Sequence, residues 1–207
     1  MKQQIQNLGF YSALAAFFAS LGYDIVQVLQ VVGVLKFPYD AISIYFFSLL
    51  IPIPFVLAIL SLHYSVDKKY RIWTHAALLF SVIYAVYVVL NYVVQLTTVI
   101  PATLNGTLSE FKVLDQTPHS LFWDIDALGY IFMGFATLFA APAFVGRGIE
   151  KWIKRFFIAN AAITPVIALV YFYPTFSYTL LLLATPWMFT ASGSILLLAI
   201  FFKRNHA

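Results

Sequence analysis

The chain contains no cysteine. That excludes disulfides, thiol nucleophiles and cysteine-ligated metals or clusters, and it leaves the redox character of the compartment unreadable. Charge is nearly as scarce: Asp, Glu, Lys and Arg together make up 10% of 207 residues, where soluble domains carry about 25%. A soluble globular domain is excluded. No lysine lies deep in an apolar run, so a retinal-type Schiff base has no anchor. No His-x-x-x-His or similarly spaced ligand pair occurs, and no metal, haem or other cofactor is expected. Net charge is +4, but the basic residues stand in short clusters between apolar runs. That is a pattern of membrane orientation, and nucleic-acid binding is not expected.

What the chain does have is apolar length: 62% hydrophobic residues and a mean hydropathy of +0.89. A bilayer-crossing helix needs about 20 mostly apolar residues. Residues 9–35, 40–63, 72–100, 119–145, 155–173 and 178–202 qualify. The expected fold is all-α, a polytopic membrane bundle of six transmembrane helices forming one domain over 1–207. Pro52, Pro54, Pro142, Pro165 and Pro186 fall within the spans, and each removes a backbone donor, so several helices should be kinked. Lys2 followed by apolar residues 8–21 faintly resembles a signal peptide, yet it has one basic residue and a poor cleavage site, and it reads as the first span. Asn105-Gly-Thr107 matches a glycosylation sequon without altering that reading.

With the N-terminus inside, the cytoplasmic segments hold Lys2, Lys68, Lys69, Arg71, Arg147, Lys151, Lys154, Arg155, Lys203 and Arg204, against Lys36 and Lys112 outside. Ten against two predicts cytoplasmic N and C termini. Trp73, Trp152, Tyr64 and Tyr70 then fall at the inner boundary, with Tyr39, Tyr92, Trp123, Tyr173 and Tyr178 near the outer one, as aromatic belts. Residues 146–155 should lie along the inner surface. Residues 101–118, with Asn105-Gly106 as a turn signal, form the one connection long enough to cover the outer face as a lid.

At about 100° per residue, His119, Trp123, Asp126 and Tyr130 share a narrow stripe of the fourth span, while Asp124 points away toward the interface. In the third span Tyr84, Tyr87, Asn91, Gln95 and Thr98 line up, and in the first Ser20, Asp24 and Gln27 do. Ionisable groups at membrane depth cost roughly 2.5 kcal/mol or more, so such stripes should face one another around a shared outward-facing pocket. The expected ligand-binding residues are Asp24, Gln27, Tyr84, Asn91 and Gln95, with His119, Trp123, Asp126 and Tyr130 from the fourth span. Each also has a packing interpretation: the acids as interhelical hydrogen-bond acceptors, His119 as a helix-start residue, and Ala15, Ala19, Ala136 and Ala140 as close-packing positions. Ser120 beside His119 is no nucleophile–base pair, because adjacent helix positions diverge by about 100°. A faint echo of Leu21-Gly-Tyr23 in Leu128-Gly-Tyr130 hints at a three-plus-three repeat.

The stretches NYVVQLTTVIPATLNG (91–106) and TPHSLFWDIDALGYIFMGFATLFAAPAF (117–144) resemble a family of uncharacterised bacterial six-span integral membrane proteins. The resemblance covers about the middle third of the chain. It implies a multi-pass protein of the bacterial inner, plasma membrane; it carries no activity, so no residue role is transferred. Three functions remain open. The first is binding of an amphipathic or cationic small molecule or a lipid, as transporter, carrier or sensor, with membrane lipids as the surrounding partners. The second is an intramembrane enzyme using Asp126 or Asp24 with His119 as acid–base groups. The third is an accessory or assembly subunit whose polar residues only hold helices together.

Overall fold

The computed structural model describes residues 2–204, without the side chain of Tyr178; the outer-belt reading of that tyrosine lies outside the described residues. The chain is helical, with no strand among the described residues. Six helical stretches are long and apolar enough to cross a membrane: Lys2–Val31, Tyr39–Ser65, Lys68–Leu104, Leu121–Ala143, Ile149–Phe172 and Thr179–Arg204. This is a multi-pass membrane protein.

Local sequence sets the helix ends. Helix α1 (Lys2–Val31) stops where Gly33 takes φ +74° and its amide donates to the Gln30 carbonyl, a positive-φ ending that glycine takes without strain. The second span breaks into α2 (Tyr39–Leu50) and α3 (Pro52–Ser65), because Pro52 has no N–H to continue the ladder. The third runs as α4 (Arg71–Val94), a π-helical turn over Gln95–Val99, and α5 (Ile100–Leu104). The π turn precedes Pro101, which cannot donate in the helical ladder. Helix α6 (Leu121–Ala140) begins where Ser120 Oγ accepts the Trp123 amide at 3.2 Å. Helix α7 (Ile149–Phe172) contains Pro165; α8 (Tyr178–Leu182) and α9 (Pro186–Arg204) form the sixth span.

Two expected placements change in kind. Residues 146–155 do not form a separate surface segment: α7 already starts at Ile149 and carries Lys151, Lys154 and Arg155 on its first turns. Charged first turns look like an interfacial stretch in sequence yet continue the helix. His119 is not on the fourth span; it is exposed in the preceding turn with φ +65°, because Pro118 and the Ser120 cap start the helix two residues later.

The helices close a ring in chain order. α1 packs on α3, α3 on α4, α4 on α6, α6 on α7, α7 on α9, and α9 back on α1. Lipid chains are as apolar as the helices, so association rests on close contact at small residues. A Cβ at Gly129 would stand 2.8 Å from Val88 Cγ2, and one at Gly134 would overlap Thr164 Oγ1. Ala13, Ala16, Ala136 and Ala140 are fully buried, whereas Ala15 is exposed. At the end carrying the basic clusters, Phe144, Phe157 and Phe202 fill the centre with Ile153 and Leu198, all essentially inaccessible. A shallow polar pocket of about 300 Å³ lies at this end between Lys2, Asp67 and Glu150, and a larger, mainly apolar one opens at the opposite end, beneath the 105–120 connection.

Candidate functional site

At that end, a cavity of about 390 Å³ lies between α1, α2, α4, α6, α7 and the α8–α9 segment. Its walls are aromatic. Tyr23 of α1, Tyr45 of α2 and Tyr92 of α4 face Trp123 and Tyr130 of α6. Tyr171 of α7 and Trp187 of α9 complete the aromatic part of the lining, with Ile44, Ile167, Leu181 and Met188 among its aliphatic members. The rings brace one another: Trp123 and Tyr171 are 4.4 Å apart between centroids, Tyr130 and Trp187 4.6 Å in an edge-on arrangement, and Tyr45 stacks on Tyr92 at 5.5 Å. Trp123 Nε1 also donates to the Tyr171 carbonyl at 3.1 Å, tying α6 to the end of α7.

Asp126 is the acid in this wall and is 3% exposed. Its Oδ1 accepts from Tyr92 Oη at 2.7 Å and from Asn91 Nδ2 at 3.3 Å; its Oδ2 accepts from Tyr171 Oη at 2.9 Å. Tyr130 Oη lies 3.1 Å from Tyr92 Oη, and since Tyr92 donates to the carboxylate, Tyr130 donates to Tyr92. All of these donors are neutral. Among the described residues the ion pair is Lys112–Asp115 in the lid, not a partner of Asp126. Trp187 Nε1 is a buried donor without a partner in the same wall, and an unmet buried donor costs about 1–3 kcal/mol unless water or a ligand atom accepts from it.

The 105–120 connection covers this end of the bundle as a lid. After the Asn105-Gly106 turn, a 3-10 segment (Leu108–Leu114) leads to Gln116, which lines the cavity. Gln95 Nε2 donates to the Leu114 carbonyl at 2.8 Å, and Gln95 Oε1 accepts from the Gln116 amide at 3.3 Å. Asn91 Nδ2 donates to Gln116 Oε1 at 3.0 Å. On the α1–α2 edge, Gln27 Nε2 donates to Gln30 Oε1 and Gln30 Nε2 to Asp40 Oδ2, both at 2.9 Å.

The sequence-derived residues therefore divide. Gln27, Trp123, Asp126 and Tyr130 line the cavity. Asn91 and Gln95 stand behind it, holding Asp126 and the lid. Tyr84 is buried against Phe55 at 5.7 Å, below the cavity. His119 is on the outer turn. Asp24 turns to α9, where its Oδ2 accepts from Ser192 Oγ at 2.6 Å and Ser192 Oγ lies 2.6 Å from Ser20 Oγ. Face arithmetic within one helix fixes which residues travel together but not which neighbour they meet, and the neighbour Asp24 meets is α9. Tyr92 and Trp123, expected in an interfacial belt, are cavity walls. Tyr23, Tyr45, Tyr171 and Trp187 escaped sequence reasoning because 18% of the chain is aromatic; position beside an acid, as in Tyr23-Asp24, was the one available signal.

No family model matches the chain, and neither curated proteins nor solved structures give a match. No group of three His, Asp or Glu side chains that could hold a metal ion occurs among the described residues.

Proposed function

We propose that the protein binds an organic cation, an amine or quaternary ammonium group, in the aromatic cavity, with Asp126 as its counter-charge. The observation that carries this reading is a buried carboxyl group in an aromatic wall, hydrogen-bonded by neutral groups and paired with no cation. Aromatic faces attract cations, by about 0.5–1 kcal/mol at exposed sites and 2 or more when desolvated, and such cages recognise alkylammonium groups. A cavity of about 390 Å³ is at the small end of the usual range for ligand pockets. The positive-inside bias of the basic clusters at the opposite end supports an outward-facing lid and site, which fits a carrier or sensor. An acid–base enzyme has less support, since His119, the proposed partner of Asp126, lies on the exposed turn.

The test is binding of tetramethylammonium and of the neutral tert-butanol to protein in lipid nanodiscs, read from tryptophan fluorescence and from thermal unfolding. Tetramethylammonium should bind and tert-butanol should not. Asp126→Asn should weaken the cation at least tenfold, a loss of about 1.4 kcal/mol or more, while unfolding shifts by only a few degrees, because Tyr171 Oη can reverse and accept from the new amide. Equal binding of both probes, or unchanged affinity in Asp126→Asn, would overturn the reading.

A further inference from the structure

The cavity is shut by hydrogen bonds on two sides and open on a third. Gln95 and Asn91 pin the lid through the Leu114 carbonyl and Gln116, and the Gln27–Gln30–Asp40 chain closes the α1–α2 edge. Between α1 and α8 the wall is different. Val28, Val31 and Val32 of the α1 end and Leu182 of α8 line the cavity and are also strongly exposed on the flank of the bundle, at 53%, 66%, 63% and 59%. A residue that both lines a cavity and faces outward marks its mouth. Thr185 lines the cavity and is exposed as well, but its hydroxyl donates to the Leu182 carbonyl at 2.7 Å. The other mouth residues carry no polar side-chain atom, and Val28, Val31 and Leu182 belong to stretches long and apolar enough to cross a membrane, whose outer flanks would meet hydrocarbon.

We infer that the ligand is a single-chain cationic amphiphile that enters sideways from the leaflet, its head against Asp126 and its alkyl chain leaving through the gap between α1 and α8. This rests on the cation reading above and adds the chain and its route. An anionic or neutral polar head has no counterpart at Asp126, and a small hydrophilic cation would have no use for an apolar mouth. The cavity volume takes a head and the first carbons of one chain, so the remaining methylenes lie along Val28, Val31 and Leu182. Trp187 Nε1 offers a donor to an oxygen near the head.

The experiment compares tetramethylammonium with hexyl- and decyltrimethylammonium, below their micelle concentrations, in nanodiscs. Affinities are referred to free aqueous probe after correction with protein-free nanodiscs. Each methylene that finds the gap should strengthen binding by up to about fourfold, so the decyl probe should bind at least a hundredfold more tightly than tetramethylammonium. Val28→Trp and Leu182→Trp, both at exposed positions that tolerate bulk, should each shrink that ratio at least tenfold. If tetramethylammonium binds but affinity is flat with chain length, or the ratio survives in both variants, the lateral route is overturned and the cation reading stands. If neither short nor long cations bind, the cation reading fails and takes this inference with it.

Discussion

Tyr171 alone holds Oδ2 of Asp126, whereas Oδ1 has both Tyr92 and Asn91. Removing that phenol therefore takes away the hydrogen bond that Oδ2 accepts at 2.9 Å. A hydrogen bond to a charged group contributes roughly 1.5–3 kcal/mol, so Tyr171→Phe should lower the unfolding temperature of the ligand-free protein. An organic cation then meets a less satisfied carboxylate. Tetramethylammonium should raise the unfolding temperature of Tyr171→Phe by more than it raises that of wild type; a smaller rise would show that the phenol contacts the ligand directly. Asp126 was legible in the sequence because an acid in an apolar run stands out against its surroundings. Its donors were not: Tyr92 and Tyr171 are two of 13 tyrosines, chemically identical to those at the interfaces, and only the approach of α4 and α7 to α6 selects them.

At the scale of elements, the π turn at Gln95–Val99, within the third span, fastens the lid. Gln95 at its first position sends one side chain to two backbone groups of the lid. Two net hydrogen bonds contribute about 2 kcal/mol together, enough to change an opening equilibrium by more than tenfold. Gln95→Leu should accordingly increase tryptic cleavage after Lys112 in the lid by about tenfold and abolish hydrogen-exchange protection of the Gln116 amide, with the membrane-embedded helices unaffected. Cleavage at the wild-type rate would show that the lid is held by packing instead. The lid itself was legible from its length and its Asn105-Gly106 turn. Its fastening was not, since a glutamine on a polar stripe looks equally suited to line a pocket.

For the whole molecule, six long apolar runs separated by short charged connections are a strong signal in any single sequence, and the six helical stretches match them with ends displaced by up to seven residues. Register between helices is different, because it depends on which small residue meets which bulky one, as Gly134 meets Thr164, and no periodicity encodes that. Sidedness is tested simply in a chain without cysteine. Single cysteines at Asn105 and Lys69 should label from opposite faces of intact cells with a membrane-impermeant reagent, Asn105 from outside. Labelling of both from one face would contradict an even ring of six spans, and labelling of Lys69 alone from outside would reverse the positive-inside orientation.

The clasp between α1 and α9 has a bearing on biosynthesis. Asp24 and its donor Ser192 are 168 residues apart, which at ribosomal speeds of about 5–20 residues per second corresponds to a delay on the order of ten to thirty seconds. Throughout that interval the nascent first span would sit in the bilayer with an acid whose partner has not been made. The ring closes only once the sixth span arrives. Until then α1 needs a temporary host, and the insertion machinery that receives it must shelter a carboxyl group as well as thread an apolar helix.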